Sequence, residues 1–392
     1  MQGNKTGIAN LPLHGGSCPR WLFPRMKKLA GIMSELIIDD YGKDEFLKRI
    51  SNPFFFQGFG SIIGFDFHSS GLSTTTCGAL KEALNKNNLG IKVAGGKGKT
   101  SRKAPDEIEK FSADFSFSTK KIEKLIYSSK ITAKVDNSLI QYNPSYQLYH
   151  HCFFFSENGK WAVVQQAMSD KTGYARRYHW LSDNICSFIE EPHKAICAHK
   201  KEETALNLTA KESFECRKIS LDLVKDNPVH LKKYFSSNTL SSQKTLFDFS
   251  DKPLMQLNMS RVHEIENMNK TNFETLKKAY EFQPETYEEL IAIKGVGPKI
   301  IRSLALISEL IYGKNPSWKD PANCNMNGKS FNFKPVEKYS YAFGGKDKIP
   351  YEIDKSHYDE TIGLLRNSID NARLGDKEKL FAIKRLNYFL RC

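Results

Sequence analysis

The chain has 392 residues, of which 40% are hydrophobic and 26% charged; this excludes a disordered polymer and is more chain than one small core needs. Its net charge is +14 and its pI near 9.2, an excess that points to a polyanionic partner, because neutralised phosphates release counterions. No apolar run is long enough to span a bilayer, which argues against a membrane role.

The N-terminal stretch "MQGNKTGIANLPLHGG" has no apolar h-region, so no secretory signal is expected. Eight scattered cysteines include no CxxC pair, and reduced thiols in a cytoplasmic protein fit best. Residues 1–232 read as a mixed α+β domain. Within it "FFFQGFGSIIGFDF" (Phe54 to Phe67) is apolar and reads as a buried strand, and "STTTCGALKEALNKNN" reads as a helix opened by hydroxyl residues. Asp66 and His68 follow the apolar stretch in "GFDFHSSG".

"AGGKGKTSRKAP" (Ala94 to Pro105) reads as a Gly-rich basic loop. It fails as a nucleotide-binding phosphate loop, because Val93 stands where the first glycine is needed. Its cations Lys97, Lys99, Arg102 and Lys103 still suit a nucleic-acid backbone. Asp136 lies in "TAKVDN", two residues after Lys134. "CFFFSENGKWAVVQQAM" is a hairpin signal. Two apolar β-favouring runs flank Asn158-Gly159, a pair suited to a type I′ turn, and runs apolar on both faces belong at the centre of a sheet. His150 and His151 precede the hairpin, while Gln165 and Gln166 end it. If Asp66, His68 and Asp136 met at strand ends they could hold Mg²⁺, and Lys134 could polarise the attacking water, as a metal-dependent nuclease requires. A strand-end aspartate is more often a cap or turn residue, and paired histidines are more often structural.

Residues 233–259 read as a polar linker. Gln243, Leu246 and Phe249 in "QKTLFDFS" carry the Q-x-x-h-x-x-aromatic spacing, which resembles the peptide that grips the sliding clamp in replication and repair enzymes. Residues 260–392 read as helical, with periodic stretches at 272–280, 287–293, 299–312, 357–373 and 377–390.

In "LIAIKGVGPKIIRSLALISELIYG", Gly295 and Gly297 remove side chains from a turn between two apolar helices. A phosphate could then approach the amides at the second helix's start. Val296 would plug the gap between the helices, and Lys299 and Arg302, one turn apart, would face the same backbone. This resembles the helix-hairpin-helix motif, which binds DNA phosphates without reading sequence; A-form RNA remains an alternative partner. Helix-hairpin-helix glycosylases carry a lysine after the turn and a catalytic aspartate beyond a Gly/Pro loop. Here "GGKDKIPYEID" offers Asp354, so that resemblance implies Lys299 as the amine nucleophile and Asp354 as its electrostatic partner. The long segment between 314 and 341 and Ile301 in place of a small alanine depart from the pattern.

Taken together, "TGIANLPLHGG", "FDFHSSG", "AGGKGKTSRK", "YQLYHH", "WAVVQQ", "ARRYHW" and "FGGKDKIPY" resemble an uncharacterised, mainly archaeal family containing a domain of unknown function. That resemblance implies a C-terminal helix-hairpin-helix and brings no catalytic residues. The expected function is DNA binding in replication or repair, with nuclease, glycosylase and non-enzymatic binding readings all open.

Overall fold

In the computed structural model the described residues are 11–13, 18–66, 69–228, 230, 270–323 and 353–370. They form an α+β fold with eleven α-helices and an antiparallel sheet covered on both faces. The sheet runs in the order β1-β3-β4-β5-β6, from β1 (Ile91–Lys97), β3 (Gln147–Ser156), β4 (Trp161–Ser169), β5 (Tyr174–Leu181) and β6 (Ala195–Cys197). A second small sheet pairs β2 (Ile140–Tyr142) with β7 (Ala205–Asn207). One face packs on α1 (Leu22–Tyr41), α2 (Lys43–Ile50), α3 (Pro53–Ile62), α4 (Gly71–Lys86) and α11 (Lys355–Asp370), burying Val93, Phe154, Ala162 and Leu181. The other packs on α5 (Ala104–Ser112), α6 (Thr119–Ser138), α7 (Phe214–Lys225), α8 (Lys270–Phe282), α9 (Tyr287–Ala292) and α10 (Pro298–Tyr312), burying Phe153, Phe155, Val163 and Trp180. Successive strand residues thus serve opposite cores. No described helix is long and apolar enough to cross a membrane, and none of the six described cysteines forms a disulfide.

Of the stretch expected as a buried strand over 54–67, residues 54–62 are instead helix, in α3, and Phe67 lies outside the described residues. Asn52 caps it by accepting from the amides of Phe54 (2.9 Å) and Phe55 (3.3 Å), and Pro53 occupies the first turn. An N-cap and an N1 proline specify a helix start more strongly than apolar content specifies a strand. Phe56 and Phe59, buried three apart, mark the helical period. Helix α4 also starts earlier than its hydroxyl run suggests, at Gly71, so Ser73, Thr74 and Thr76 lie inside its first turns.

β3 and β4 form the expected central hairpin, but not with a type I′ turn. Among the turn residues only Gly159 has positive φ (+83°), and its amide donates to Ser156 O (2.7 Å) across a four-residue connection. The Gly-rich basic stretch is not a free loop either. Residues 94–97 belong to β1, a 3₁₀ turn covers Gly98–Lys103, and α5 follows with Pro105 in its first turn. Gly95 (φ +90°) is required because a Cβ there would lie 2.2 Å from His151 O on the paired strand.

Helices α8, α9, α10 and α11 match the expected helical stretches, and the one expected at 377–390 lies outside the described residues. The described helices beyond residue 232 do not build a core of their own. Leu276, Leu290, Ile300 and Leu304 join the core of α6, α7 and the sheet, while Tyr358 and Ile362 join the opposite one. The chain after α10 also bonds to β7, with Asn207 N donating to Ser317 O (2.8 Å) and Ala205 N to Trp318 O (3.0 Å). Buried Arg176 then clamps Asp320 through two bonds of 2.9 and 2.6 Å.

Candidate nucleic-acid interface and a buried polar row

The corner between α9 and α10 is built from local rules. Thr286 caps α9 by accepting from Glu289 N (3.1 Å), and Glu289 reaches back to Glu285 N (2.8 Å). The turn closes through Val296 N to Ile293 O (3.2 Å), with Gly295 at φ +101°. A Cβ at Gly295 would lie 2.7 Å from Thr275 Oγ1 on α8. Gly297 is the extended N-cap of α10, and no side chain caps that helix start. Val296 is 4% exposed and plugs the gap as expected, whereas Lys299 is exposed and Arg302 half-buried. Exposed Lys294, just before Gly295, is a third cation that the sequence reading passed over, because it precedes the glycine signature.

Lys134 serves this corner. Its ammonium donates to Ile291 O (2.5 Å) and Ile293 O (2.6 Å), carbonyls at the C-terminal end of α9, and burial pulls its pKa down. Gln141 Nε2 donates to Pro298 O (2.9 Å) from the same side. Helix α6 and its C-terminal extension therefore fix the hairpin's angle. This differs from the water-polarising role expected for Lys134 beside a metal.

The other residues of the nuclease expectation are not brought together. Asp136 on α6 faces the core that holds Trp180, accepting from Trp180 Nε1 (3.1 Å), His193 Nε2 (2.5 Å) and Gln165 Nε2. Asp66 is buried beside Phe65 in the α3–α4 connection, on the opposite face of the sheet, and His68 lies outside the described residues. Among the described residues no three His, Cys, Asp or Glu side chains gather as a metal would require. The glycosylase pair is likewise separated. Asp354 caps α11, accepting from His357 N (3.0 Å) and Ser356 Oγ (2.7 Å), and these bonds hold its carboxyl below the usual range. Its helix packs with α1 and α3, whereas Lys299 belongs to α10 across the sheet. Gln243, Leu246 and Phe249 lie outside the described residues.

Lys97, Lys99, Arg102 and Lys103 are all exposed, as a backbone-binding patch needs. The glycine amide behind them does not await a phosphate, because Gly95 N donates to Glu107 Oε2 (2.7 Å). A cleft of about 540 Å³ opens beside this turn, between α4 and β1. Thr74, Cys77, Lys81 and Lys86 wall one side of it, Gly96, Lys97 and Cys152 the other. Burial pushes the Cys77 thiol well up, neighbouring Cys152 pushes it the same way, and Arg177 opposes them.

Strand register reveals a feature the sequence motifs contained without showing. Lys97, His150, Gln166, Arg177 and Cys197 align across all five strands. His150, Gln166 and Arg177 are 0% exposed. Gln166 Nε2 donates to Ser70 O (2.9 Å) and to Tyr149 Oη (2.5 Å). Arg177 donates through Nη1 to Gln57 Oε1 (2.7 Å) and Ser73 Oγ (3.2 Å), and through Nε to His179 Nε2 (2.9 Å). The row thus sits under the start of α4. The pairs "HH", "QQ" and "RR" were its only sequence signal. Each pair sends one residue to each face, so the row emerges only once the strands are aligned.

Compared with known proteins, the chain matches a family model described as "Protein of unknown function (DUF763)" over residues 7–353. No curated protein and no solved structure matches it.

Proposed function

The chain belongs to the DUF763 family, and for this member we propose a nucleic-acid-binding function in which α9, its glycine turn and α10 act as a helix-hairpin-helix on the phosphate backbone of DNA. One observation carries the reading. The corner that buries Val296 leaves Lys294 and Lys299 exposed beside an N-terminus that no side chain caps. Amide donors and the positive end of the helix dipole then lie at a corner that carries two exposed cations. The net charge of +14 supplies the long-range attraction, and the exposed Lys97, Lys99, Arg102 and Lys103 supply a second backbone-binding patch.

Lys299→Glu is expected to weaken binding of any duplex by roughly tenfold or more, about 1.4 kcal/mol, and to lower the salt slope by about one. Fluorescence anisotropy over a salt titration measures both. Unchanged affinity at low salt would remove the hairpin from the interface.

A further inference from the structure

Arg177 poses an electrostatic problem. Its side chain is wholly buried, yet no carboxylate of the described residues lies within ion-pair distance. Its acceptors are the neutral Gln57, Ser73 and His179, its guanidinium lies 5.0 Å from the centre of the Phe56 ring, and its Nη2 has no hydrogen-bond partner among the described residues. A buried charge without a counter-charge costs several kcal/mol. The position compounds the cost, because Ser73 lies in the first turn of the sixteen-residue α4, whose dipole adds positive potential. Beside it, Gln166 Oε1 also lacks a hydrogen-bond partner among the described residues, in a fully buried side chain whose Nε2 reaches Ser70 O. Native structures rarely leave such groups unsatisfied, and where they do a missing water or ion is a common reason.

We propose that Arg177, Ser73 and Gln166 wall a binding site for a tetrahedral oxyanion, a phosphate or phosphoryl group. The guanidinium offers an unused fork arm, α4 offers its positive end, and Gln166 Oε1 accepts the proton of a monoprotonated phosphate. The cleft between α4 and β1 lies on the same sheet face, with Thr74, the residue after Ser73 on α4, in its wall. Cys77 on its wall neighbours Arg177, and Lys97 at its mouth stands in register with the row. This site lies across the sheet from the hairpin and does not rest on the DNA-binding reading.

The test is thermal unfolding of the full chain in inorganic phosphate, with chloride adjusted to constant ionic strength. Wild-type protein is expected to show a saturable rise in Tm. Ser73→Asp places a carboxylate at a helix position that favours it, within reach of Arg177. It is expected to raise Tm without phosphate and to abolish the further rise. Arg177→Gln is expected to lose the response. Paired 5′-phosphorylated and 5′-hydroxyl oligonucleotides distinguish a strand end from free phosphate as the source, since only a strand end makes the former bind more tightly. The proposal is overturned if wild-type protein responds neither to phosphate nor to the 5′-phosphoryl group. It is also overturned if Ser73→Asp responds to phosphate as wild type does.

Discussion

Asp136→Ala is expected to destabilise the protein by about 3–5 kcal/mol, the cost of removing one partner from a buried charged network. The carboxylate has no exposed surface and answers three donors at once, from β4 (Gln165), β5 (Trp180) and the segment after β5 (His193). Removing it leaves three buried N–H groups without an acceptor, each carrying its own desolvation penalty. The network continues inward. Gln165 Oε1 accepts from His151 Nδ1 (2.7 Å), which fixes the tautomer so that His151 Nε2 accepts from Ser129 Oγ (2.8 Å). Asp136→Asn should recover part of the loss, since its Oδ1 can still accept from Gln165 and Trp180 while its amide faces His193 Nε2, which accepts in the other tautomer. Urea unfolding of the variants measures the loss. A catalytic or metal-ligating aspartate behaves in the opposite way, because removing a strained functional charge commonly leaves stability unchanged or improves it. An Asp136→Ala protein as stable as wild type would therefore return this residue to the list of functional candidates.

What the sequence showed depended on how far apart the interacting residues lie. Helices α8, α9 and α10 were legible because their period and punctuation are local, and so was the glycine corner with Val296 as its plug. The apolar run of α3 misled because its content suits either element, and Asn52-Pro53 decides for the helix. The roles of Lys134 and Asp136 were not legible, because their partners lie up to 159 residues away in the chain. Arg177 stood in the sequence only as part of "ARRYHW", because its lack of a counter-charge is a fact of register and burial. The boundary placed near 232 followed a real change from mixed to helical composition. Composition does not record that the later helices fill the outer layers of the earlier sheet.

Acidification is expected to begin destabilising the chain well above the range in which carboxylates titrate. His150, His151 and His179 are each wholly or nearly wholly buried in the sheet. Burial drives all three below the usual imidazole value, His150 to about 3. Above pH 6.5 these rings are neutral in both states, and their contribution to stability is fully present. Below it the unfolded chain takes up protons that the folded chain refuses, so stability falls as pH falls. For His150 alone the slope is about 1.4 kcal/mol per pH unit, continuing until the pH approaches its folded value near 3. Over that window the loss sums to roughly 5 kcal/mol, comparable to the whole stability of many domains. Asp320 acts in a separate window. Burial pushes its carboxyl up, but the hydrogen bond and charge of Arg176 outweigh that push and hold it low, so its stabilising effect is lost only below about pH 4. Urea titrations between pH 7.5 and 4.5 therefore isolate the imidazoles. His150→Gln, which keeps a neutral polar side chain at every pH, should flatten the slope by about one proton. A stability that stays level from pH 7 to pH 5 would mean that these rings reach water in the folded protein, and the dry interior assigned to that end of the sheet would have to be abandoned.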